Sequence, residues 1–282
     1  MRRNGANSWL DFWNGDTAIY ACDRHKELHY EAVARDLRAH IPSPDSLVLD
    51  YGCGEALSAA RLAQDCGTLL LYDAAPHVRE KLRARFGREA GIGIMEDGAL
   101  KAVDETSLDL VVANSLIQYL APNEFSQLLD LWRAKLKADG RLLLADIPTP
   151  QSGALNDAAA LLRFGWRGGF FFAALSSLAR LYFSDYRRLR NELGFSRYRA
   201  GELEGLLRRH GYDARLSPRN IGHNQSRLCF IAQREDQIGA SERSSSGCGA
   251  SAPPSTAFTS TLTTSFCEPE PRITPSIGET SA

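Results

Sequence analysis

In Val48-Leu49-Asp50-Tyr51-Gly52-Cys53-Gly54-Glu55-Ala56 an apolar run ends in an acid and passes at once into a Gly-x-Gly turn. Ala56 to Ala63 then reads as the start of a helix. Strand, tight turn, helix is the arrangement that brings a nucleotide against bare backbone. Gly52 and Gly54 carry no side chain, so a ligand can approach main-chain N–H groups closely there.

The turn excludes two common ligand classes. A dinucleotide fingerprint is G-x-G-x-x-G, and its third glycine position is Leu57 here. No G-x-x-x-x-G-K-[ST] phosphate loop occurs anywhere in the chain. Asp50, two residues before the first glycine, suits a cationic group such as an ammonium better than a pyrophosphate. At these residues the chain resembles the class I S-adenosylmethionine-dependent methyltransferases, whose first motif is an acid followed by G-x-G-x-G. Ala56 replaces the third glycine of that motif. Taken alone, an ordinary strand-to-helix turn explains the same residues.

Later strand ends extend the resemblance. Leu69-Leu70-Leu71-Tyr72-Asp73 closes an apolar run with an acid about 20 residues past the glycines, where α/β nucleotide folds hold ribose hydroxyls. The alternative role of Asp73 is capping the helix that begins near Pro76. Ile92-Gly93-Ile94-Met95 runs into Glu96-Asp97, and the resemblance places an acid here beside adenine, Asp97 ahead of Glu96. Leu108 to Asn114 reads as a fully buried fourth strand. The resemblance puts Asn114 under the methionine part of the cofactor.

The chain has 282 residues, enough for one sizeable core and an appendage. Its formal net charge of -1 points to no nucleic-acid partner. Cysteines 22, 53, 66, 229, 248 and 267 show no C-x-x-C pairing, which argues against a zinc site or a disulfide framework. Met1 to Gly5 is not followed by an apolar signal core, and no run approaches the roughly 20 apolar residues of a spanning helix. A reducing cytoplasm is the expected location, with peripheral membrane contact open.

Five segments follow. Residues 1–45 form an aromatic-rich helical lid region, in which Tyr30, Val33, Leu37 and Ile41 face the core and Pro42 ends the helix. Residues 46–148 form the cofactor-binding core, with a helix marked by Phe125, Leu128, Leu129, Trp132 and Leu136, stopped by Gly140 ahead of a fifth strand at 141–147. Residues 149–199 form a helical substrate cap, mostly helix from 156 to 193 with breaks at Gly165, Gly168 and Gly169. Residues 200–236 add a helix stopped by Gly211 and two strands at 212–218 and 226–233. The Ser-, Thr- and Pro-rich residues 237–282 read as a disordered tail. The implied fold is α/β, a Rossmann-like doubly wound seven-stranded sheet, mostly parallel with the last strand antiparallel.

Other constellations carry alternatives. His25 and His29 are four apart, but Lys26 stands where H-E-x-x-H needs its glutamate, so no metal is expected. With Tyr20 and Tyr30 they are lid or packing residues. Gln118 and Tyr119 follow Asn114, where the resemblance implies contact with the acceptor; packing explains Tyr119 equally well. Asp146 ends the fifth strand as a proton acceptor or a turn residue. Within the cap, Phe164, Trp166, Phe170, Phe171 and Phe172 stand among arginines 163, 167, 180, 187, 188 and 190, the composition of an interfacial helix. The expectation is methyl transfer from S-adenosylmethionine to a small or lipid-like acceptor, with 163–190 open to membrane contact. A cofactor-binding module without catalysis and an NAD-dependent reductase are the other classes. Oligomeric state is not legible.

Overall fold

A computed structural model describes residues 8–15, 19–182 and 195–235; the 237–282 tail, Cys248, Cys267 and arginines 187, 188 and 190 lie outside them. The elements are α1 (Trp9–Asn14), α2 (Asp23–Arg38), β1 (Leu47–Tyr51), α3 (Ala59–Leu62), β2 (Thr68–Tyr72), α4 (Pro76–Phe86), β3 (Ile92–Ile94), β4 (Leu108–Asn114), α5 (Pro122–Lys135), β5 (Leu136–Ile147), α6 (Ala154–Gly168), α7 (Phe171–Tyr182), α8 (Ala200–Arg209), β6 (Tyr212–Leu216) and β7 (Leu228–Arg234). They build a seven-stranded sheet of order β3-β2-β1-β4-β5-β7-β6. Strands β3 to β5 run parallel, and β7 runs antiparallel to both β5 and β6.

Period-two alternation in the central strands feeds two cores, one on each face of the sheet. Leu49, Val111, Ala113, Leu142 and Leu144 pack with Phe125, Leu129 and Trp132 of α5 and Leu203 and Leu207 of α8. Val48, Leu110, Val112, Leu143 and Ala145 pack on the other face with Leu37 of α2, Ala59 and Leu62 of α3, and Val78, Leu82 and Phe86 of α4. Burying each such leucine or phenylalanine contributes about 1.5–3 kcal/mol. The order reverses between β1 and β4, and in doubly wound sheets that switch point opens a crevice at the carboxyl ends of the strands.

Four local expectations need correction. Helix α3 starts only at Ala59, because Ala56 sits at φ 42, outside helical space. Helix α5 ends at Lys135, five residues before Gly140, and Leu136 already pairs with Leu108. The register then jumps to Leu110↔Arg141, so residues 137–140 form an irregularity inside β5. Gly140 serves close backbone approach: a Cβ there would lie 2.8 Å from the Leu108 carbonyl oxygen. Gly165 and Gly168 do not break α6. A Cβ on Gly165 would meet the Ala174 Cβ at 3.0 Å, so this glycine seats α7 against α6, and the turn falls at Gly169, φ +77. Helix α2 stops at Arg38, ahead of Pro42.

Candidate functional site

Parallel pairing of β1 with β2, Asp50↔Leu71 and Tyr51↔Tyr72, brings the ends of both strands to one edge. Asp50 and Asp73 therefore lie at the same edge, close enough for one carboxylate to act on the other. Gly52 and Gly54 take φ +80 and +57, values L side chains rarely adopt. Their N–H groups turn back onto β2: Gly52 and Cys53 donate to the Tyr72 carbonyl at 2.7 and 3.1 Å, and Gly54 donates to Asp73 Oδ2 at 3.0 Å. Asp73 Oδ1 accepts from Ala75 N at 2.9 Å, so the helix-entry role is real and shares the carboxylate with the turn. Burial raises the Asp73 pKa, against those two hydrogen bonds and the Arg79 charge.

The bare glycine faces are filled by the protein itself. A Cβ on Gly52 would lie 2.9 Å from Leu116 Cδ1, and one on Gly54 would lie 2.8 Å from the Tyr30 hydroxyl. That hydroxyl accepts from Glu55 N at 3.0 Å, while Lys26 Nζ reaches Glu55 Oε1 at 2.6 Å. Helix α2 is thus bolted over the turn. Asp50 has no hydrogen-bond partner among the described residues. Burial, and then the neighbouring Asp73, push its pKa up to about 7.

At the end of β3, exposed Asp97 accepts from the Tyr72 hydroxyl at 2.9 Å, and the Tyr72 and Tyr51 rings lie 4.5 Å apart. Glu96 is held by Arg83 through bonds of 2.7, 2.8 and 2.9 Å and lies 3.8 Å from Arg79 Nε. At the end of β4, Asn114 Oδ1 is buried without a partner among the described residues, as is Gln118 Oε1. A buried amide oxygen left this way costs roughly 1–3 kcal/mol. Tyr119 stacks edge-on with Trp9 at 4.8 Å, Trp13 at 5.5 Å and Phe195 at 5.6 Å, which makes it part of an aromatic wall with α1.

Backbone strain gathers at the same edge. Of the described non-glycine residues at positive φ, Ala56, Ser115 and Asp146 follow or end β1, β4 and β5, and only Thr106 lies elsewhere. Such conformers cost on the order of 1–3 kcal/mol each and cluster at ligand sites. Ser115 Oγ donates to Asp146 Oδ2 at 2.5 Å, and Asn220 Oδ1 accepts from Asp146 N at 2.8 Å. Burial raises the Asp146 pKa; the Arg227 charge and the Ser115 and Asn220 hydrogen bonds oppose it.

Beyond Asp146 lies a cluster that was only half visible in the chain. His25 and His29 meet His223, from the loop between β6 and β7, at ring separations of 6.2 and 6.0 Å. Phe164 of α6 stacks on His223 at 4.4 Å, and Phe170 stacks on His25 at 5.0 Å. Tyr20 contacts both α2 histidines and Tyr30. Burial lowers the pKa to about 4 for His25, with His223 adding to the effect. Burial likewise lowers His29 to about 3, helped by His223 and His25. For His223 burial and Arg227 lower it to about 4, Asp157 opposing. All three rings are neutral at neutral pH. No group of three or more metal-type ligands with metal-holding geometry occurs among the described residues. The signal for His223 and Asn220 was the run Asn220-Ile221-Gly222-His223-Asn224-Gln225, a polar loop too long for a tight hairpin.

A family model described as a methyltransferase domain matches residues 48–140. No curated protein matches the chain. Among solved structures, the complex between the Haloferax volcanii Trm112 methyltransferase activator and the putative methyltransferase is 15% identical, covers 81% of this chain and 99% of that chain, and gives a TM-score of 0.53. The DhpI–SAM–HEP complex is 12% identical, with 83% and 100% covered and a TM-score of 0.51. A putative O-methyltransferase from Nostoc punctiforme is 15% identical, with 80% and 60% covered and a TM-score of 0.50. At such identities the likeness is one of fold. Residues 48–140 thus match a methyltransferase domain, and the strand order around them is that of the Rossmann-like methyltransferase fold.

Proposed function

We propose that this enzyme methylates a small or lipid-like acceptor held between the strand ends and a helical cap, 149–199. The observation that supports this most is the cluster of histidine and phenylalanine rings between α2, α6 and the β6–β7 loop. Neutral His25, His29 and His223, faced by Phe164 and Phe170, form an apolar, weakly polar surface next to the cofactor crevice.

The donor set fits S-adenosylmethionine, judged by the buried Asp50 carboxyl beside Asp73 and the orphaned Asn114 oxygen. Asp50, Gly52 and Gly54 would hold its methionine end, Asp73 the ribose, Asp97 the adenine and Asn114 the floor. Carboxylates offer about four lone-pair sites, so Asp73 can accept from ribose hydroxyls while keeping Gly54 and Ala75. A bound sulfonium supplies an already activated methyl group. The chain's part is to exclude water and align the acceptor. Tyr20, Tyr30 and the α2 helix close the crevice, and Tyr119 and Asp146 border the acceptor side. Asp146 would accept a hydrogen bond from an acceptor hydroxyl beside the one it already takes from Ser115.

Incubation of the protein with methyl-labelled S-adenosylmethionine and a cell extract should place label in the organic-soluble fraction. Label confined to protein would remove the proposed acceptor class.

Asp50 adds a pH signature. Its folded pKa of about 7 lies above the ordinary carboxylate value of 3.8, so its contribution to stability is lost as pH rises through that window. An ammonium beside the ionised carboxylate reverses that loss. S-adenosylhomocysteine should therefore bind about tenfold more tightly at pH 8 than at pH 6, by calorimetry. Asp50→Asn should flatten the dependence; an unchanged slope would take the ammonium away from Asp50.

A further inference from the structure

Helices α6 and α7 form a hairpin with two unlike faces. The inner face carries Phe164, Phe170 and Ala174, which pack with Ala21 and Leu28 and roof the histidine cluster. The outer face is apolar and open. Trp166 is 75% exposed, Phe172 82% and Leu175 50%. Trp166 and Phe172 are joined through Phe171, with ring separations of 5.8 and 5.7 Å, across the turn at Gly169. Apart from Phe171, neither exposed ring has an aromatic contact among the described residues, and monomeric surfaces rarely gather large apolar side chains this way.

Charge says what covers them. From 158 to 184 the sequence has no Asp or Glu, and it carries Arg163, Arg167 and Arg180. Arg180 is committed to the fold, donating to the Ala21 carbonyl at 3.2 Å. Arg163 and Arg167 are exposed and make no ion pair among the described residues. Spaced by four, they share a helix face, with Trp166 beside them. A protein partner would need a concave apolar pocket rimmed with acids. A bilayer offers apolar depth under a plane of phosphates and so fits aromatic residues flanked by unpaired arginines.

We propose that the α6–α7 turn docks on an anionic lipid bilayer, with Trp166, Phe172 and Leu175 entering the headgroup layer and Arg163 and Arg167 meeting lipid phosphates. No helix among the described residues is long and apolar enough to cross a membrane, so the contact is a surface one. Because the inner face of the same hairpin packs on the histidine cluster, a lipid-like acceptor would pass from the bilayer toward the strand ends along one structural element. That last use rests on the methyl-transfer reading; the docking surface does not.

The test is vesicle flotation of the full chain with phosphatidylcholine alone and with phosphatidylcholine containing phosphatidylglycerol. Wild type should float with the anionic vesicles and far less with the neutral ones. Trp166→Ser/Phe172→Ser and Arg163→Glu/Arg167→Glu should each reduce the floated fraction by about tenfold or more. All these side chains are exposed, so both variants should keep wild-type S-adenosylhomocysteine binding, which reports folding separately. Wild type remaining at the bottom with both vesicle types overturns the docking proposal, as does flotation unaffected by either double substitution. A dimer in solution that Trp166→Ser/Phe172→Ser dissociates, without flotation, also overturns it and assigns the face to a second copy. Loss of cofactor binding in wild type would instead strike the methyltransferase site and leave docking untouched.

Discussion

Asp73→Ala is expected to weaken S-adenosylhomocysteine binding by roughly 100-fold, because hydrogen bonds to a charged group are worth about 1.5–3 kcal/mol each. Two losses combine at this position. The ribose hydroxyls proposed to pair with Asp73 lose their acceptor, and the turn loses the bond from Gly54 N at 3.0 Å that holds it in place. Asp73→Asn separates them: an amide oxygen can still accept from Gly54 or Ala75, yet it offers ribose no charge. Its binding should fall between wild type and alanine. Calorimetry reads the affinity, and a thermal melt shows that the variants fold. Alanine binding within threefold of wild type would remove the ribose role.

Acid should unfold this protein early, and the histidine cluster is the cause. Burial holds the folded-state pKa values of His25, His29 and His223 at about 4, 3 and 4, below the ordinary histidine value of 6.5. The unfolded chain therefore binds more protons between these limits, and stability falls as pH drops from 6.5 toward 4. Each histidine contributes up to about 1.4 kcal/mol per pH unit in that window, an upper bound that relaxation and water entry reduce. Urea midpoints at pH 8, 6 and 5 should fall steeply for wild type. His223→Phe, which keeps the stack on Phe164, and His25→Gln, which keeps an acceptor for Ala21 N, should flatten the curve. Equal slopes in wild type and both variants would mean that other groups govern acid unfolding.

The legible parts of the site and the missed ones differ in kind. Asp50, Asp73, Asp97 and Asn114 stand at strand ends, and a strand end in a parallel sheet is visible as an apolar run closed by a polar residue. Their arrival at one edge follows from parallel pairing, so local pattern carried global information. Glu96 and Asp97 are adjacent, and nothing local separates them; in the fold Glu96 pairs with Arg83 of α4 while Asp97 accepts from the Tyr72 hydroxyl. Gly140 looked like a helix stop because glycine commonly ends helices. Its actual constraint, a contact with the Leu108 carbonyl, comes from a strand 32 residues earlier. Gly165 was misread as a breaker for the same reason: its neighbour is Ala174 on another helix.

By itself, the chain determined the sheet, the glycine turn and the cofactor class, because these depend on period-two hydrophobicity and on residues within a few positions of one another. Tertiary structure alone decided that His223 joins His25 and His29, that Tyr30 covers Gly54, and that Trp166 and Phe172 face outward while Phe164 and Phe170 face in. All of these depend on which helix lies against which strand end. Side chains of one composition, a few residues apart, are sorted into wall and surface only when the helices are packed.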